Sequence, residues 1–343
     1  MPFRDRVPSD YTVRRLRPED ADGVVNCVRG VYGDSYLIHT ELYHPEEIIK
    51  LNQTGSLISI VALDSDDEVV GHYALERPDA RSEVAESGEA MVLPKHQHHH
   101  LLEGMRVVLE EEAERLNLAG IFGRTVTNHI FSQLAVERFG ELPCGVSLGR
   151  TPKAFCNMQQ ALTQRMSIVF YFKYLRRPKE AVLHVPFRHR DMCVRIYAQF
   201  HVPVSFADPG DPKDVGEMET DFLPDLQRAT LRVNRVGHDT AGEVRRVRRQ
   251  TCEAGAEVIF LELPLCDSGT PAICSSAEEE GFFFCGVGPS LLRSGDAIRM
   301  QYLDVELDAS LLKIQSPFAG ELLAYIENER RRVRATSPTS PKH

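Results

Sequence analysis

The sequence predicts an α/β fold in two domains. Three observations carry that reading. Strand-like and helix-like segments alternate along the chain. The order helix, strand, helix, paired strands occurs in both halves, as a match of element order with no residue-level repeat behind it. A chain of 343 residues is also long for one core, at roughly 150 residues per domain.

The elements follow in order. Residues 11–16 read as the first strand. Pro18, Glu19 and Asp20 open a helix with Val24, Val25 and Val28 on one face. Pro45, Glu46 and Glu47 open a second helix in the same way. Residues 57–63 and 69–75 are strands around an Asp-rich turn, hence a hairpin. Residues 86–93 form a strand stopped by Pro94. Residues 101–116 carry Leu102, Met105, Val108, Leu109, Ala113 and Leu116 at helical spacing. A strand at 121–127, a helix at 130–139 and a hairpin from 144–148 and 166–175 close the first half.

In the second half, 182–185 is a short strand and 191–200 a helix. Residues 207–224, acidic and rich in Pro and Gly, read as a loop. Then come a strand at 229–236 and a helix at 240–254 whose Arg245, Arg246, Arg248 and Arg249 form a solvated face. The strand at 258–263 is nearly all apolar, as burial on both faces requires. A helix at 270–280, a hairpin from 282–287 and 297–303, and a helix at 320–333 complete the domain. The division is therefore 1–177 and 178–334, with 335–343 a disordered tail rich in Pro, Ser and Thr.

Composition excludes several functions. Hydrophobic residues make up 42% and charged residues 26%, which supplies a core and argues against general disorder. A net charge of −10 argues against gripping a phosphate backbone, so no nucleic-acid partner is expected. No apolar run approaches the ~20 residues that span a bilayer, so no membrane partner is expected. The start, Met1 to Arg6, has no apolar signal-peptide core. Eight scattered cysteines without a Cys-x-x-Cys pair read as reduced core residues of a cytoplasmic protein. His-Glu-x-x-His and Walker-type phosphate loops are absent from the sequence.

The informative segment runs from Glu86 to Leu102, where a strand ends at Pro94, a short loop follows and a long helix begins. The first amides of a helix lack intrahelical partners and carry the positive end of its dipole. That geometry suits a phosphate or pyrophosphate.

Here the sequence resembles the GNAT N-acetyltransferase superfamily. Val92, Pro94 and Gln97 match its Val-x-Pro-x-x-(Gln/Arg)-Gly-x-Gly-x-(Gly/Ala) signature. Thr127-Asn128 through Phe139-Gly140 looks like the family's later strand-and-helix element, and Val13 to Asp20 like its opening. The resemblance covers about residues 10–177; residues 180–334 look like a second, degenerate copy with no matching pyrophosphate loop. It implies two GNAT-like domains, each a mixed, mostly antiparallel sheet flanked by helices. It also implies an acyl donor, acetyl-CoA, and an amine acceptor of unknown identity. The backbone of Met91 and Val92 would hold the pantetheine arm, and the amides of Gln97, His98, His99, His100, Leu101 and Leu102 the pyrophosphate. Asn128 and Ser132 would lie near the pantetheine or the leaving thiol.

An amine must lose a proton to attack a thioester, so a base is required. Glu86 sits where the family often places one, and Glu89 is the second choice, on the opposite face of an alternating strand. Both also fit as plain polar residues near a strand end, and Asn128 fits equally as a helix N-cap.

Two departures set limits. His98 and His100 stand where the family has glycines, and either block coenzyme A or contact its phosphates. The family's tyrosine acid is missing, since that region reads Leu134-Ala135-Val136. The cluster His96, His98, His99, His100 has only Glu103 close by as a carboxylate, so no metal is expected. The alternative to an enzyme is a catalytically inactive ligand-sensing or protein-interaction module on the same fold.

Overall fold

The structure is a computed structural model and describes residues 6–77, 81–155 and 162–336. The fold is mixed α/β with mostly antiparallel pairing, as the sequence predicts. The chain forms two compact units, one running to Gly123 and the other from Arg124.

The first unit contains β1 (Thr12–Arg15), α1 (Ala21–Tyr32), α2 (Pro45–Thr54), β2 (Leu57–Leu63), β3 (Val69–Glu76), β4 (Val84–Val92), α3 (Leu101–Arg115) and the start of β5 (Gly120–Val126). Its strand order is β1-β2-β3-β4-β5, antiparallel except for the β4–β5 pair. Val24, Val25 and Val28 of α1 and Ile48 of α2 pack with Val61, Ala74 and Met91 of the sheet. From the other face, Arg106 of α3 donates to Tyr73 Oη and Ser87 Oγ. Helices on both faces explain why β2 is buried along its whole length.

The second unit takes the rest of β5 and adds α4 (Phe131–Arg138), β6 (Leu142–Thr151), β7 (Met166–Tyr174), β8 (Ala181–Leu183), α5 (Arg190–Gln199), β9 (Val204–Phe206), β10 (Glu217–Leu223), β11 (Arg228–Arg235), α6 (Thr240–Glu253), β12 (Val258–Pro264), α7 (Thr270–Glu279), β13 (Phe283–Leu292), β14 (Gly295–Leu303) and α8 (Pro317–Thr336). Its main sheet runs β5-β7-β6-β13-β14-β12-β11-β10, and β8 and β9 form a separate parallel pair. The helix α8 packs on β6 and β13.

Several expectations change. The loop expected at 207–224 contains β10, an edge strand in which Glu217, Glu219 and Asp221 alternate with Met218, Thr220 and Phe222. Its acids mark a sheet edge, where charge discourages pairing with other chains. The strand β9 was not expected. The last helix reaches Thr336, beyond the predicted start of the tail, while residues 337–343 and 1–5 lie outside the described residues. The arginine face of α6 is partly tied down, since Arg245 and Arg248 both donate to Glu280. Among the described cysteines, five are buried, Cys252 is half-buried and Cys266 is exposed, so Cys266 is not a core residue.

A match of three residues accompanies a recurring strand order. The strand order β4-β5-β7-β6 recurs as β11-β12-β14-β13, each beginning with a parallel pair around a helix. Cys144-Gly145-Val146 lies in β6 and Cys285-Gly286-Val287 in β13, and Gly145 pairs with Gly286. Three residues set in dissimilar surroundings are invisible to a scan of the sequence.

Candidate functional site

The parallel ladder from β4 to β5 covers Val84–Glu86 with Gly120–Phe122. From Gly88 to Val92 the β5-facing edge of β4 has no ladder partner among the described residues. Along that same stretch β4 carries a bulge. Between the pairs Ala74–Gly88 and His72–Met91, Tyr73 faces two residues, Glu89 and Ala90. Glu89 takes φ 57°, a left-handed conformation rare outside glycine. Bulges of this kind re-aim a side chain beside a strand's unpaired edge.

The bulge overturns one expectation. Strict alternation puts Glu86 and Glu89 on opposite faces. Instead, the Glu76–Glu86 cross-strand pair shares a face with Glu89, because the extra residue shifts the parity. Donor atoms of Glu76, Glu89 and His39 lie within 4.8 Å of one another. His39, from the segment between α1 and α2, places Nδ1 3.4 Å from Glu89 Oε1 and 3.1 Å from Glu41 Oε1.

Electrostatics follow from burial. The Glu89 side chain is 2% exposed. Burial pushes its carboxyl up to about 8, against the opposing pull of His39, with Glu76, Glu41 and Glu86 adding to the rise. Burial works to lower His39, yet its hydrogen bond to Glu41 and the charge of Glu89 carry it up to about 9. His72 on β3 is fully buried, which pushes its pKa down to about 4. Its Nδ1 lies 3.1 Å from the Glu89 carbonyl oxygen. A carbonyl only accepts, so the proton sits on Nδ1 and the imidazole is neutral. Sequence reasoning missed both histidines. His39 has no local motif, while His72 carried one signal, a lone polar residue inside the apolar run Val69 to Leu75.

The loop after β4 keeps the shape that glycines would give it. His98 has φ 71° and His100 φ 56°, both left-handed. No backbone partner is found for the amides of His98, His99 and His100 among the described residues. The side chains of His98 and His100 are exposed, and His100 Nδ1 lies 3.4 Å from Glu103 Oε1. Tyr11 braces the loop, with Oη 3.1 Å from His96 Nδ1 and its ring 5.3 Å from that of His99. Gln97 Nε2 reaches back to the Val92 carbonyl at 3.5 Å. The loop histidines belong to neither group of described side chains gathered at metal-ligand spacing. The second such group, His189 with Glu278 and Glu329, is interleaved with Arg188 and Arg332, which already meet its charge.

A left-handed residue other than glycine costs about 1–2 kcal/mol, partly returned because glycine loses more chain entropy on folding. The double substitution His98→Gly with His100→Gly is therefore expected to stabilise the protein by about 1 kcal/mol. Urea denaturation checks this; a lower midpoint would mean that the histidine side chains hold the loop together.

Asn128 and Ser132 fall in the second unit. Ser132 Oγ is buried with no hydrogen-bond partner among the described residues. Asn128 is not the N-cap of α4, which begins after Ile130. The start of α4 is held instead by buried Gln133, whose amide donates to the carbonyls of Val126 and Lys313 and accepts from the Gln315 amide.

No protein-family model matches the chain, and no curated protein matches it. Solved structures similar to it are GNAT acetyltransferases that cover about half its length. The ribosomal L7/L12 alpha-N-protein acetyltransferase RimL shares 12% identity over 49% of this chain and 96% of its own, with a TM-score of 0.38. An acetyltransferase of the GNAT family from Staphylococcus aureus shares 13% over 48% and 99%, at 0.37. The spermidine/spermine N-acetyltransferase SpeG from Vibrio cholerae shares 14% over 49% and 95%, at 0.36. Each is a likeness to one half of the chain.

Proposed function

We propose that the first half transfers an acetyl group from acetyl-CoA to an amine by direct attack. The observation that carries this reading is the bulge. It sets a buried, proton-accepting carboxyl, Glu89, on the stretch of β4 whose β5-facing edge lacks a ladder partner among the described residues. Backbone groups of Met91 and Val92 on that edge hold the pantetheine arm and polarise the thioester carbonyl. The amides from Gln97 to Leu102 receive the pyrophosphate, with His98 and His100 in the left-handed conformation that glycine favours. The amine nitrogen bonds to the acetyl carbon, its proton passes to Glu89, and the C–S bond breaks to release CoA thiolate. Glu89 replaces Glu86 as first choice of base, because burial matches its proton affinity to this task while Glu86 stands beside it.

Residues 178–334 form the second copy in this proposal, lacking a donor site of its own. The start of α6 is occupied by the chain itself. The Gly216 amide donates to Asp239 Oδ1 at 2.7 Å, and the His238 amide to the Asp214 carbonyl at 3.0 Å. A Cβ on Gly237 would meet the Gly216 nitrogen at 1.9 Å, so no space is left for a pyrophosphate. A cytoplasmic site of action belongs to the same proposal. No helix among the described residues is long and apolar enough to cross a membrane.

Calorimetric titration with acetyl-CoA and with CoA tests the reading. Binding in the micromolar range is expected. No binding up to millimolar ligand would overturn it in favour of an inactive sensing module.

A further inference from the structure

The second unit carries an open strand edge beside an apolar groove. The strands β8 and β9 form a two-stranded parallel sheet. The Ala181 amide donates to the Pro203 carbonyl, and the Ala207 amide to the Leu183 carbonyl. In a parallel ladder with those bonds, Ser205 turns both of its backbone groups toward β8. Val204 and Phe206 turn theirs the other way. Those two amides and two carbonyls have no hydrogen-bond partner among the described residues. Unpaired groups along a strand are a template for an added strand.

A groove of about 360 Å³ adjoins this edge. Val194 and Ala198 of α5 line one side of it, and Val202 and Val204 the other. None of its lining residues comes from β8, so it lies on the far side of β9. Arg190 stands one turn before Val194 on the same stripe of α5. Its guanidinium carbon lies 4.8 Å from the centre of the Phe206 ring and 5.7 Å from that of Phe187. Arg190 makes no ion pair among the described residues, and its Nε is buried without a hydrogen-bond partner. A cation held between two rings and left without a counter-ion is poised for a carboxylate. Phe187 is 85% exposed, so the apolar wall beside this cation stands open.

The edge sets the length and direction of a partner. Val204 and Phe206 offer bonds at two positions only, which suits the last few residues of a chain rather than a long inner stretch. The strand β9 runs toward Phe206, the end at which Arg190 sits. A chain that ends beside Arg190 therefore lies parallel to β9, as β8 does.

We propose that this edge of β9 binds the C-terminal residues of a partner polypeptide as an added parallel strand. Alternate apolar side chains enter the groove, and the terminal carboxylate meets Arg190. The site shares no residue with the donor site proposed for the first half.

The test uses the full chain and fluorescein-labelled pentapeptides ending in two valines, two leucines or two phenylalanines. Each is made with a free carboxylate and as the amide. Fluorescence anisotropy is expected to show saturable binding of at least one free acid. Its amide is expected to bind about tenfold more weakly or worse, as loss of a charge-assisted hydrogen-bond pair predicts. Arg190→Gln is expected to weaken the acid by the same factor and to leave the amide unchanged, a split that misfolding would not produce. Ala198→Trp, which fills the groove from an exposed position, is expected to abolish binding of both. No saturable binding by any acid, equal binding of acid and amide, or wild-type binding by Arg190→Gln overturns the proposal. So does a dimer in analytical ultracentrifugation that Ala198→Trp dissolves, since a second copy then fills the edge.

Discussion

Glu89→Gln is expected to slow acyl transfer by about 10²–10⁴-fold while acetyl-CoA affinity stays unchanged. The amide keeps the size and buried position of the side chain but cannot take a proton. The wild-type rate is expected to rise with pH as Glu89 gives up its proton near 8, and the variant to lose that limb. Stability gives a second readout of the same group. The folded pKa stands above the usual 4.5, so the contribution is present at acid pH and is lost as pH rises toward about 8. His39 has the same sign, since its pKa is raised from 6.5 to about 9. Glutamine has no such dependence. Relative to wild type, the variant gains stability across that window, by at most about 1.4 kcal/mol per pH unit. Equal rates for Glu89→Gln and wild type would move the base to Glu86 or to water. A stability difference that does not vary with pH would mean that the buried carboxyl does not titrate in this window.

Legibility along the chain followed the range of the interactions. The segment from Glu86 to Leu102 was readable because strand, proline stop and helix start are local signals. The left-handed loop was partly readable, since family glycines marked where His98 and His100 must adopt unusual dihedrals. The bulge was not. It depends on how β4 registers against β3, and one extra residue reverses which side chains share a face. The partners of Glu89 were hidden for the same reason. His39 comes from 50 residues earlier in the chain, from a segment with no periodicity. In the second half, β10 was lost in an acidic stretch because an edge strand needs pairing on one side only. Its alternation of acids with Met218 and Phe222 was present but short.

Gly286→Ala is expected to destabilise the protein by about 3 kcal/mol or more, or to prevent folding. The reason lies where the two Cys-Gly-Val segments meet. Gly286 has φ 140°, a conformation unfavourable to any side chain. A Cβ there would lie 2.4 Å from Gly145 Cα and 2.5 Å from the Cys144 carbonyl oxygen. Both are backbone atoms of β6, and no flexible side chain can yield. Gly145 is constrained in return, since its own Cβ would meet the Cys285 carbonyl oxygen at 2.9 Å. Each strand shifts register beside its glycine, so β6 and β13 approach at the one residue pair that brings the segments into contact. Cys144 and Cys285 flank this contact fully buried, and burial pushes the Cys285 thiol up to about 12, which leaves it an inert packing group. Gly242→Ala is the control. It lies in α6 with nothing within 4 Å of an added Cβ, and is expected to gain about 0.5 kcal/mol from helix propensity. Urea midpoints that fall for Gly286→Ala and rise slightly for Gly242→Ala would tie the loss to the close approach. Equal midpoints would mean that β6 and β13 stand farther apart than this pairing requires.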